Sequence, residues 1–308
     1  MKNGKVLIGH LSCFVAYAIF GVNIITTKDL TSGHLLSPIA IFCLRSFFAG
    51  MIFWVLSLLR PAEKVARRDL PKILLASLLG FFITQMTFLI ASPIITPMGW
   101  SVVSSVTPIF TMIIAAIALR EPITGKKVSG VLLSFFGIVF LILTSKTSSS
   151  GPETSSVLGY VLAVMNGLAF ALYLGIFRPV LERYSVVAFM KWIFLFAFVM
   201  AVPFSAREIV SFDFSQVSGS FIFELSYLII CATFISYFLI PVGQKYIRPT
   251  LVSMYSYLQP LIAITISIII GMDTLTWPKI LATFAVLGGV LLVNFSKSAS
   301  RTDDSQSE

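Results

Sequence analysis

Two basic residues sit where a charge is expensive. Arg45 lies about nine residues into an apolar run at 36–59, and Lys191 lies at comparable depth in another at 186–204. At 1.5 Å of rise per residue, a helical Arg45 carries its charge roughly 10 Å inside the helix end, at a cost of several kcal/mol unless it meets water or a partner. Two such cations entering from opposite faces would make an interior cavity electropositive and suit a carboxylate or another anionic group. Snorkelling, or pairing with helix-end carbonyls, is the structural alternative for both. Asn23, Gln85, Asn166 and Gln259 are neutral hydrogen-bonding groups inside apolar runs, able either to orient a small polar ligand or to bond across helices. Gln259 precedes Pro260, and Thr107 precedes Pro108. A proline inside a helix deletes a backbone bond, kinks the chain and frees carbonyls that can line a cavity. Among the aromatics, Tyr173 and Tyr237 are singled out for ligand contact; lipid contact, interface anchoring and packing account for most of the others.

Catalytic constellations are missing. His10 and His34 are the only histidines, and there is no H-E-x-x-H, nucleophile elbow or Gly-rich phosphate loop with its lysine. An enzyme is not expected, nor is a cofactor or a metal. The other carboxylates fall in loops, tails or span ends, and Glu224, near the outer start of the eighth span, reads as an interfacial residue ahead of a candidate for proton coupling. Glu121 and Asp273 stand just before the next helices, where a negative charge meets the positive end of the macrodipole. Cys13, Cys43 and Cys231 lie in apolar runs without metal-ligand spacing or a disulfide framework.

The elements that must position these groups follow from composition. Hydrophobic residues make up 57% of the 308 and charged ones only 11%, so lipid must cover most of the surface. Ten runs of about 20 residues emerge, at 5–27, 36–59, 74–91, 99–119, 127–144, 157–177, 186–204, 220–243, 250–270 and 278–295. In hydrocarbon every backbone polar group needs a partner within the protein, and these continuous runs lack the alternation of barrel strands, so the spans are helices. The first run is too long for a cleavable signal core and lacks an A-x-A-like exit, which makes it the first span. Sixteen of the 22 basic residues collect on one side of the ten spans and four on the other, placing both termini in the cytoplasm. The formal charge of +9 is thus loop charge, and nucleic-acid binding is not expected.

The Ser-rich stretch at 145–156 divides the spans five and five, giving segments 1–144, an external linker 145–156, 157–296 and a cytoplasmic tail 297–308. Residues 80–145 overlay 232–297 without a gap: Pro108 falls on Pro260, Glu121 on Asp273, Thr124 on Thr276 and Gly137 on Gly289. Five spans is an odd number, so the second copy enters the membrane from the opposite face. The expected fold is an all-α membrane protein of ten transmembrane helices in two inverted five-helix repeats. Gly130 with Ser134, and Ala285 with Gly289, are small residues four apart that suit close helix packing.

The order of spans, Phe20-Gly21 with Asn23 in the first, Arg45 in the second, Pro108 in the fourth with Glu121-Pro122 at its end, and their echo in Gln259-Pro260 and Asp273, resembles the EamA-type carriers of the drug/metabolite transporter superfamily. The likeness covers essentially the whole chain and rests on architecture. It implies a carrier of the bacterial inner membrane, most often an exporter of amino acids or other small metabolites, working by alternating access. The small four-helix relatives that expel cationic drugs use a Glu in the first helix, where this chain has Asn23, so cationic-drug antiport by that route is not expected. The expected substrate is amino-acid-like, zwitterionic or anionic. The expected partners are that small molecule and the lipid bilayer, and a homodimer is compatible with the sequence. The competing reading is a lipid-handling or scaffold membrane protein that moves no small solute.

Overall fold

The computed structural model describes residues 2–32, 36–95, 100, 103–144, 156–212, 217–269 and 276–296, and among these all regular structure is helical. The first copy contributes α1 (Lys2–Ser32), α2 (Pro38–Leu58), α3 (Arg67–Ala91), α4 (Thr107–Leu119) and α5 (Gly125–Thr144). The second contributes α6 (Val157–Ile176), α7 (Val186–Val210), α8 (Gly219–Tyr246), α9 (the run Pro249–Met254, Tyr255–Tyr257, Leu258–Ile269) and α10 (Trp277–Asn294), with a short helix Arg178–Arg183 between α6 and α7. Each expected apolar run overlaps one of these helices. Among the described residues six helices are long and apolar enough by themselves to cross a membrane, in α1, α2, α3, α6, α7 and α8. Thr107–Leu119 is shorter than its expected run at 99–119, because a turn at Ser105 and Val106 interrupts the chain just before Pro108. The linker at 145–155, Asp273 and the tail from 297 lie outside the described residues.

Helix starts are fixed by serine. The side chains of Ser37, Ser156, Ser185 and Ser218 accept from the backbone N–H three residues on, at Ala40, Gly159, Ala188 and Phe221, each satisfying a donor the first turn leaves orphaned. The end of α4 is set by Arg120, which adopts φ 53°, the one positive φ outside glycine among the described residues.

Irregularities recur at matching places. α3 widens into a π turn at Leu78–Ile83, and α8 does the same at Ile230–Ile235. The Ser105–Val106 turn before Thr107-Pro108 has its counterpart in the tight turn Tyr255–Tyr257 before Gln259-Pro260. The overlay found in the sequence therefore extends to departures from regular helix.

α2 and α7 pack antiparallel through Phe53 stacked on Phe194, with ring centroids 5.3 Å apart. Their ends are tied reciprocally: the Glu208 carboxylate, in the last turn of α7, accepts from the backbone N–H and hydroxyl of Ser37 at the start of α2. Glu63, just past α2, accepts from the Ser185 N–H at the start of α7, at 2.9 Å. α5 and α10 form a second antiparallel pair, where a Cβ on Gly130 would come within 2.6 Å of the Gly289 carbonyl and Ser134 Oγ donates to the Val286 carbonyl at 3.0 Å. The small-residue seam read from the sequence lies at this contact. The outer faces carry exposed Leu7, Phe136, Leu281 and Phe284, the apolar skin that a membrane protein turns to lipid.

Candidate functional site

Four carboxamides from four helices converge. Asn23 of α1, Gln85 of α3, Asn166 of α6 and Gln259 of α9 line one cavity of about 120 Å³, with both copies supplying its wall. That space holds several water molecules or one small ligand. Phe20, Phe88, Trp100 and Phe170 give it aromatic faces, and Tyr17, Ser104, Tyr237, Ser256 and Tyr257 give it hydroxyls. No charged side chain belongs to the described lining.

Three hydrogen bonds join a residue to its own repeat mate. Gln85 Nε2 donates to the Tyr237 hydroxyl at 2.6 Å, the Tyr257 hydroxyl donates to the Ser105 carbonyl at 2.9 Å, and Ser134 donates to the Val286 carbonyl at 3.0 Å, each across 152 positions. The first two pairs line the cavity, so the cavity lies where the two copies meet through counterpart residues.

Arg45 stands one layer behind. It is 0% exposed, with Nη1 donating to Gln85 Oε1 at 2.7 Å and Nε donating to Thr233 Oγ1 at 2.8 Å. The π turn of α8 makes the second contact available: Thr233 spends its proton on the Leu228 carbonyl five residues back, at 2.6 Å, so its oxygen faces Arg45 as an acceptor. No carboxylate pairs with Arg45 among the described residues, so its charge is held by neutral partners alone. Aligning the Ser37 and Ser185 caps sets Ile193, not Lys191, opposite Arg45, and Ile193 meets the π-turn side of α3 through a bond from Ser77 to its carbonyl. The same niche is polar in one copy and apolar in the other.

Lys191 is not part of this constellation. Its ammonium donates to Ser57 Oγ at 2.8 Å near the end of α2 and lies 5.0 Å over the Trp54 ring, the partnered alternative to a ligand role. Tyr173 lies outside the described lining, stacked on Phe170 at 6.0 Å and pressed against Gly80, where no side chain would fit. Asn23, Gln85, Tyr237, Gln259 and Pro260 are brought together at the cavity, while Pro108 lies buried one residue past its lining at Thr107. Asn166 does two things at once: it lines the cavity, and its amide donates to the Thr84 carbonyl at 2.5 Å and to Thr87 Oγ1 at 3.2 Å.

Sequence reasoning did not reach Ser104 and Ser256. They are repeat mates, both cavity-lining, and each has a buried hydroxyl oxygen without a hydrogen-bond partner among the described residues, as does Tyr17. The overlay at constant offset would have paired them. Glu121 has a partner that the macrodipole argument did not supply, because Lys127 Nζ, 0% exposed, is 2.5 Å from its Oε2 and Thr250 of α9 donates to the same oxygen at 3.4 Å.

The chain matches the EamA-like transporter family twice, over residues 7–143 and 157–295. It is 29% identical to an uncharacterized transporter of Archaeoglobus fulgidus over 85% of this chain and 88% of the relative. It is 25% identical to the uncharacterized inner membrane transporter YicL of Salmonella typhimurium over 93% and 95% of the two chains. A solved crystal structure 17% identical superposes with a TM-score of 0.73 over 95% of this chain and 96% of its own, a likeness of fold alone. Two family matches that together leave only the termini and the central linker uncovered make this multi-pass membrane protein a member of the EamA-like transporter family.

Proposed function

We propose that the protein is a secondary carrier of ten transmembrane helices that moves a small metabolite across the bacterial inner membrane by alternating access, in the export direction that the family resemblance implies, with both termini cytoplasmic. The observation that carries the reading is a polar cavity lined by both repeats, at the place where repeat mates bond to each other. The antiparallel pairing of α2 with α7 and of α5 with α10 supports an inverted relation between the copies, since each pair consists of equivalent helices. Inverted copies give a fold two near-equivalent arrangements, opening the same site to either side in turn. Pro108 and Pro260, each following a break in its helix, supply matching places at which the halves can bend.

The test is counterflow in liposomes containing the purified protein, with a pooled panel of labelled amino acids, organic acids and nucleobases. The expected result is saturable, trans-stimulated exchange, reduced at least tenfold in Gln85→Ala with unchanged yield of folded protein. Flux that never saturates, or exchange that is intact in Gln85→Ala, Asn23→Ala and Gln259→Ala alike, counts against this cavity as the site.

A further inference from the structure

The chemistry of the cavity narrows its occupant, on the reading just given that the cavity is the transport site. An amino acid carries an ammonium and a carboxylate, and each loses strong hydration on entry that only an opposite charge or several strong hydrogen bonds replace. The described lining offers neither an acid nor a base. The nearest fixed charge, Arg45, is positive, lies behind Gln85, and has donors committed to Gln85 and Thr233. Its field repels an ammonium, and its guanidinium is not presented to a carboxylate.

What the cavity does present is neutral and two-sided. The buried hydroxyls of Tyr17, Ser104 and Ser256 have no hydrogen-bond partner among the described residues, and a hydroxyl both donates and accepts. The Gln259 amide lines the same space and adds two donors and an acceptor. Buried polar groups left unpaired are costly, so a ligand that pairs with them is favoured and one that cannot is rejected. Aromatic faces stand around the same space at Phe20, Trp100 and Phe170, and they reward a flat ring.

We infer that the cavity takes a small, uncharged, planar ring compound whose edge carries both hydrogen-bond donors and acceptors, as a lactam or carboxamide heterocycle does, in preference to amino acids and organic cations. Ser104 and Ser256, one from each copy, are the specificity-determining pair.

The experiment uses the full-length protein, in nanodiscs for binding and in liposomes for counterflow, with uracil and nicotinamide as neutral planar probes, leucine and glutamate as amino acids, and choline as a cation. Binding is read from tryptophan emission, with Trp100→Phe as the control for a signal arising in the cavity. Saturable binding and exchange of at least one neutral probe are expected, at least tenfold tighter than for leucine, glutamate and choline. The double variant Ser104→Ala/Ser256→Ala is expected to weaken that binding tenfold or more while leaving the melting temperature within a few degrees of wild type. Saturable exchange of leucine or glutamate without either neutral probe overturns the inference and leaves the carrier reading standing. Neutral-probe binding unchanged in the double serine variant overturns the assignment of the pair. No exchange of any probe by a folded wild type overturns the inference and counts against the carrier reading too.

Discussion

Arg45 is the largest side chain with no exposure among the described residues, and it is held by an amide and a hydroxyl. Truncation leaves a void and two groups that have lost their partner, so Arg45→Ala should cost about 2–4 kcal/mol, read as a fall in the melting temperature of the purified protein. A double-mutant cycle of Arg45→Met with Thr233→Val should return a coupling of about 0.5–3 kcal/mol; a value near zero would mean the contact stabilises nothing. The Glu121–Lys127 pair obeys a different rule. Both side chains are buried, and Glu121→Gln, which strands the ammonium, should destabilise by about 3–5 kcal/mol, whereas Glu121→Leu with Lys127→Met should recover most of that loss. Asn23, Gln85 and Gln259 stood out in the sequence as candidates because an amide inside an apolar run is expensive and needs a reason, whereas Asn166 read more readily as a packing contact. Ser104 and Ser256 did not stand out, since a small hydroxyl in a membrane helix can satisfy itself on the preceding turn, as Thr84 does on Gly80. Depth along a run also failed to say where Lys191 points. Its long stem carries the charge to the end of α2.

Helices here owe their ends to a few residues and their contacts to the smallest ones. Arg120 holds a left-handed conformation that costs a side-chain-bearing residue about 1–2 kcal/mol, so Arg120→Gly should leave stability unchanged or raise it by up to about 1 kcal/mol. A loss would show that the side chain holds something beyond the turn. At the α5–α10 seam the reverse applies. Gly130→Val pushes a branched side chain onto the Gly289 backbone and should cost about 1–3 kcal/mol in thermal unfolding. That seam was readable from small residues spaced four apart. The π turns at Leu78–Ile83 and Ile230–Ile235 were not, because a one-residue widening of a helix has no signature composition; in the second it shows where Thr233 and Ser236 reach carbonyls five residues back.

At the scale of the molecule the repeat was the most legible feature, since a constant offset survives even where the residues themselves have diverged. Its limit is that symmetry of backbone is not symmetry of chemistry: the niche holding Arg45 in one copy meets Ile193 in the other. An electropositive cavity flanked by two cations, as the sequence suggested, therefore becomes a neutral cavity with one cation behind one wall. The two copies also depend on each other for more than packing. Fragments 1–150 and 151–308 produced separately should be recovered poorly and mostly misfolded, while co-expression should let a tag on one fragment retrieve the other; stable, monodisperse fragments obtained alone would contradict this.

That dependence has a temporal side. A ribosome releases the chain from its N-terminal end, and the carboxylate that caps α2 arrives 171 residues after the serine it binds. When α2 first enters the bilayer its opening turn has only its own Ser37 and interfacial water to rely on, and it is finished only once α7 has been inserted beside it. The start of the second helix is thus completed only by a residue of the second half of the chain.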